Sequence, residues 1–262
     1  MRRWAPKLQS VSSIPELVDT LRNHPDVLGL VEFGRAHYAD DFAAGDYDLL
    51  VILRRLDYPV TSIHFYIGDT PIDLNLRTIE QFRLLPIAAG FERTFIRGRV
   101  IYDPTEEVAQ IIAGLQQKLA QIAPDTLNEH EIARIRHWHR HVLDKVHNRL
   151  STEVTFCTFL LQTNISWLIL NFFRIHGLEY EGPRKAFDYL EHRAPEIYGW
   201  IQQFYAAADL DQAIEITHTL SELILQPIGG MWRKGEILAF GELSDAGLPE
   251  QGVLVYQALF GE

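Results

Sequence analysis

Cysteine is nearly missing from this chain: among 262 residues there is one, Cys157. A single thiol excludes an internal disulfide framework and a cysteine-built zinc site. It lies among Phe156, Phe159 and Leu160 and reads as a small buried hydrophobe. Positive charge is also short. The chain has 24 Lys and Arg against 35 Asp and Glu, a net charge of −11. That balance argues against binding of bulk nucleic acid or an anionic membrane, and suits a cationic small acceptor or a protein partner. No residue type dominates and no fixed-period repeat is present. With 47% apolar and 23% charged residues, a mainly disordered or collagen-like chain is excluded. A long unbroken hydrophobic run is lacking too. The richest stretch, Phe156 to Ile175, is interrupted by Thr158, Gln162, Thr163, Asn164, Ser166 and Asn171, with Arg174 near its end. A spanning helix needs about 20 mostly apolar residues, so this stretch reads as the central helix of a soluble bundle. Met1-Arg2-Arg3-Trp4-Ala5-Pro6 carries charge with no apolar core behind it, unlike a signal peptide. A cytoplasmic protein with no membrane association is expected.

The pattern of what is present changes partway along the chain. Residues 14–24 predict a helix, with Ser13 as N-cap, Pro15 and Glu16 in the first turn, and Ile14, Leu17, Val18 and Leu21 as its apolar stripe. Val27 to Phe33 predicts a strand closed by Gly34. Tyr47 to Leu53 predicts a second strand, apolar almost throughout and therefore central. Thr61 to Ile67, a Gly68-Asp69-Thr70 turn and the alternating Pro71 to Arg77 read as a hairpin. A short helix over 79–85 and a last strand over Phe95 to Tyr102 follow, and a helix begins at Asp103-Pro104. Beyond Pro124-Asp125 the periodicity is almost entirely helical, with Ile132, Ile135, Trp138, Val142, Val146 and Leu150 as one stripe. The expected architecture is α+β: a small mixed-sheet domain over residues 1–105, a helical bundle over 106–230, and a tail over 231–262 of undefined structure.

Three acids stand out against this background. Asp46 and Asp48 sit one residue apart at the head of an apolar strand, so their side chains share a face. Side by side they repel, and each resists ionisation unless a cation lies between them. Asp73 is a third acid, mid-strand between Ile72 and Leu74, where aspartate is disfavoured. A hard divalent cation, Mg²⁺ or Mn²⁺, accounts for all three, because it takes oxygen ligands and shares them with substrate phosphates. The three carboxylates are then expected within roughly 4–7 Å of one another. Gly34, twelve residues before Asp46, offers a turn whose backbone N–H groups can approach a polyphosphate.

Phe33-Gly34-Arg35, then Asp46-Tyr47-Asp48-Leu49-Leu50-Val51, then Ile72-Asp73-Leu74 resembles the signature of the DNA polymerase β type of nucleotidyltransferases. That signature is an apolar residue, Gly-Gly or Gly-Ser, a gap of about ten residues, Asp-x-Asp in a strand, and a later lone Asp in another strand. The helical second half looks like the partner domain of small bacterial members, including antibiotic-modifying ones, and like minimal nucleotidyltransferases paired with HEPN domains. The resemblance implies a nucleotidyltransferase-fold domain followed by a helical domain for acceptor binding or interaction. It implies an Mg²⁺-dependent enzyme that moves a nucleoside monophosphate from an NTP, with ATP among the candidates, to the hydroxyl of a small molecule or protein. Asp46, Asp48 and Asp73 would be its catalytic metal ligands, and Gly34 and Arg35 would contact the nucleotide. A homodimer is compatible with the pattern. Arg35 departs from the family, which has Ser or Gly there. Its fork of donors would bind phosphate strongly or would fill the pocket. The second outcome favours an alternative, a non-catalytic nucleotide-binding or antitoxin-like interaction protein.

The histidines His130, His137, His139, His141 and His147 crowd one predicted helix. His137 and His141 share a face, but no third ligand is evident, so a solvated face is expected. Arg136 and His141 have the spacing of the Arg-x(4–6)-His pair of HEPN ribonucleases, early in the domain rather than late. Asp40 and Asp41 read as solvated loop acids.

Overall fold

The computed structural model describes residues 11–34, 45–87, 91–122, 126–239 and 248–260. The chain divides into two compact units, Met1–Ala123 and Pro124–Glu262. In the first, helix α1 (Ile14–Arg22) starts at Ser13, whose side chain accepts from the Glu16 N–H, and buries Leu17 and Val18. Five strands follow: β1 (Val27–Phe33), β2 (Tyr47–Leu53), β3 (Ser62–Ile67), β4 (Thr70–Thr78) and β5 (Arg99–Tyr102), in sheet order β3-β4-β2-β1-β5. β2 and β4 run parallel; every other pairing is antiparallel. The sheet is therefore mixed, and the unit is of the α+β class.

Alternation along the strands builds two cores. Leu50 and Ile52 of β2 join Val31 and Phe33 of β1 on one face, under α2 (Ile79–Arg83), α3 (Arg93–Ile96) and α4 (Glu107–Ala120). Tyr47, Leu49 and Val51 of β2 join Ile72 and Leu74 of β4 on the other face, under α1. The expected strand from Phe95 to Tyr102 is half right. Phe95 and Ile96 are consecutive and both buried, which a strand with one covered face does not allow and a helical turn does. Gly98 then brings the chain against β1: a Cβ there would lie 2.4 Å from the Glu32 carbonyl oxygen. The boundary expected at residue 105 also moves. Val108, Ile112 and Leu115 of α4 pack into the sheet's core, so that helix belongs to the first unit.

The second unit is helical: α5 (Glu129–Arg149), α6 (Val154–Ile175), α7 (Pro183–Arg193), α8 (Pro195–Tyr205) and α9 (Leu210–Leu225), with α10 (Leu248–Phe260) near the end of the chain. α6 is long and apolar enough to cross a bilayer by length and composition. Nine of its residues, among them Cys157, Leu161, Ile165 and Phe172, are nevertheless buried, and those four belong to the helical core. Within that core His139 of α5 is held between two asparagines of α6. Its Nδ1 lies 2.7 Å from Asn164 Oδ1 and its Nε2 lies 3.0 Å from Asn171 Nδ2. The bonding assigns a neutral ring with the proton on Nδ1. Burial pulls its pKa down to about 4, against the opposing pull of Asn164.

Residues just past 230 are not a separate tail. Met231 is buried in the helical core. Arg136 donates from Nε to the Gly230 carbonyl at 2.7 Å, pairs with Glu236 at 2.8 Å and covers the Trp232 ring.

Candidate metal centre

β1 ends at Phe33, which pairs with Asp48 of β2. Asp48 pairs in parallel with Asp73 of β4, and Asp73 pairs with His64 of β3. One transverse row of the sheet thus carries Phe33, Asp48, Asp73 and His64. Alternation decides which way the acids face. Tyr47, Leu49, Ile72 and Leu74 occupy the core beneath α1, so Asp48 and Asp73 are on the opposite side. Asp46 precedes β2 and is exposed, whereas Asp48 and Asp73 are partly buried. One carboxylate oxygen from each of the three lies within 4.8 Å of the others. Among the described residues this is the one group of His, Cys, Asp and Glu so arranged.

The electrostatics follow from that crowding. Burial, the Asp46 charge and the Asp73 charge, in that order, push the Asp48 pKa up to about 7. The donor set is carboxylate oxygen only, which fits a hard divalent cation. A cation among the three would reverse the repulsion that holds Asp48 near neutrality.

Gly34 has a role that the sequence reading did not assign. Its φ is 66°, a region where side chains are strained, and a Cβ there would lie 2.1 Å from Asp48 Oδ2. Only glycine leaves room for the carboxylate where the chain turns out of β1. Arg35, Asp40 and Asp41 lie outside the described residues.

Two partnerships around the trio were missed at the level of sequence. On the exposed side of β4, His64 Nδ1 lies 2.6 Å from Asp73 Oδ1, and His64 Nε2 lies 3.1 Å from Ser62 Oγ. On the other face of the sheet, the buried Tyr47 hydroxyl donates to Glu32 Oε1 at 2.7 Å, and Arg99 grips Glu32 Oε2 at 2.5 and 3.1 Å. Burial, reinforced by Glu32, drives the Tyr47 pKa upward. This network anchors the residue between Asp46 and Asp48.

The helical unit assembles no comparable centre from its histidines. His137 and His141 stack at 5.5 Å between ring centroids, without a third ligand among the described residues. Arg136 is engaged by Glu236 and by backbone carbonyls, not aimed with His141 at an open site.

No family model matches the chain, and no curated protein matches it. Among solved structures, a nucleotidyltransferase-like protein from Exiguobacterium sibiricum 255-15 is similar at 15% sequence identity, with a TM-score of 0.41 over 81% of this chain and 73% of that one.

Proposed function

We propose that this chain is a nucleotidyltransferase that moves a nucleoside monophosphate from an NTP to a hydroxyl of a small-molecule or protein acceptor. The observation that carries the reading is the convergence of Asp46, Asp48 and Asp73 within 4.8 Å. Three features support it as a built site. Asp48 and Asp73 are aligned by parallel register, Asp48 is partly buried with its pKa pushed up to about 7, and Gly34 is the residue that clears space for it. Asp46 and Asp48 would hold Mg²⁺ or Mn²⁺ on the triphosphate, with Asp73 completing the set. A divalent cation bound there neutralises charge developing on the phosphates and lowers the pKa of an attacking hydroxyl. In the reaction the acceptor oxygen forms its bond to the α-phosphorus while the bond from that phosphorus to the bridging oxygen breaks. Pyrophosphate leaves with the electron pair, and the hydroxyl proton passes to the Asp73 carboxylate.

The test is pyrophosphate release from each of the four NTPs with Mg²⁺ and a panel of hydroxyl acceptors, cationic ones included because of the net charge of −11. Release by the wild type that disappears in Asp48→Asn and Asp73→Asn is expected. Release at the Asp48→Asn background level with every nucleotide and acceptor overturns the proposal.

A further inference from the structure

We propose that His64 is a positioning residue for Asp73, fixing the orientation in which that carboxylate meets a divalent cation. The inference rests on reading the trio as a cation site. The ring stands on β3, the edge strand of the sheet, with 61% of its side chain exposed. Packing therefore does little to set its place. What sets it is two bonds, one at each nitrogen. A carboxylate only accepts, so the 2.6 Å contact with Asp73 Oδ1 assigns the proton to Nδ1. Nε2 lies 3.1 Å from the Ser62 hydroxyl oxygen. Ser62 and His64 are two apart on one strand and share a face. The hydroxyl thus fixes which way the ring is turned, and the ring fixes the carboxylate. Asp73 Oδ1 accepts from this donor, and the carboxylate keeps further lone pairs with which to meet a cation.

A free aspartate at that position would rotate about its side-chain bonds, and Asp46 and Asp48 would repel it from the site. The His64 donor opposes that rotation before any cation arrives. An exposed pair of this kind contributes little to fold stability, so its effect should appear in cation affinity. Outer partners of metal-binding carboxylates commonly account for about 10–100-fold in affinity.

Titration of the full chain with Mn²⁺, following the electron paramagnetic resonance signal of the free ion, tests this. Four proteins are compared: wild type, His64→Ala, His64→Asn and Asp73→Asn. His64→Ala is expected to bind Mn²⁺ about tenfold more weakly or worse, with its melting temperature in chelator unchanged. His64→Asn, whose amide nitrogen sits near the position of Nδ1, is expected to recover most of the affinity. Wild-type affinity in His64→Ala, or His64→Asn as weak as His64→Ala, overturns the proposal while leaving the cation site standing. No Mn²⁺ binding by the wild type, or undiminished binding by Asp73→Asn, overturns the cation site and this proposal with it.

Discussion

Asp48 is placed where a carboxylate is least comfortable, between two others and partly out of water. With its pKa at about 7 instead of 3.8, the folded chain holds a proton that the unfolded chain releases. The native state therefore pays no penalty near pH 4, pays progressively as pH rises toward 7, and carries the full penalty above that. Asp48→Asn removes the charge and keeps the shape. In chelator at about pH 8 it is expected to unfold later than wild type, by about 1–2 kcal/mol once screening of a partly exposed group is allowed for. The gain should fade toward pH 4. Urea unfolding curves of both proteins across this range check the direction. An aspartate that merely capped a turn would give the reverse, a loss at neutral pH. Residues of this kind announce themselves in sequence. Aspartates inside or at the head of apolar strands break the local pattern, so Asp46, Asp48 and Asp73 could be read directly. His64 could not, because a histidine on an exposed edge strand violates nothing.

At the level of elements, His64 was recoverable only from register. With the two-residue turn Gly68-Asp69, Ile67 pairs with Thr70, and counting back three pairs brings His64 to Asp73. The turn reads more naturally as Gly68-Asp69-Thr70, which would set His64 against Leu74 on the other face. The spacing of Val108, Ile112 and Leu115 likewise reveals a buried face on helix α4 but not which core receives it, so periodicity alone does not place that helix in the first unit. Between α5 and α6 the buried His139 sets a pH response opposite to that of Asp48. Its pKa falls from 6.5 to about 4 on folding, so its contribution is full above about pH 6.5. It is lost as pH drops toward 4, on the order of 3 kcal/mol in all. His139→Leu is expected to be less stable near neutrality, because Asn164 and Asn171 lose their partner, yet flatter between those limits. Stepwise pH denaturation of the two proteins checks it.

For the whole molecule, the division into two units means that the first builds its sheet from its own residues. β3 and β4 are joined by a tight turn, so His64 meets Asp73 through local closure. Asp48 meets Asp73 only when the finished hairpin docks in parallel on β2. Pairing that closes a long stretch of chain is the slow part of building such a sheet. Pressing three like charges together without an ion is unfavourable, so the carboxylates are expected to close on one another only after the strands have paired, on the native side of the barrier. A cation that stabilises the native state through them has nothing to grip in the transition state. Mn²⁺ is expected to leave the refolding rate unchanged and to slow unfolding, with the whole of its stabilisation in the unfolding limb. Stopped-flow denaturant jumps with and without the ion read this directly. The sheet's parallel step, by delaying the meeting of like charges, makes a bound ion a latch on the finished fold, not a guide to it.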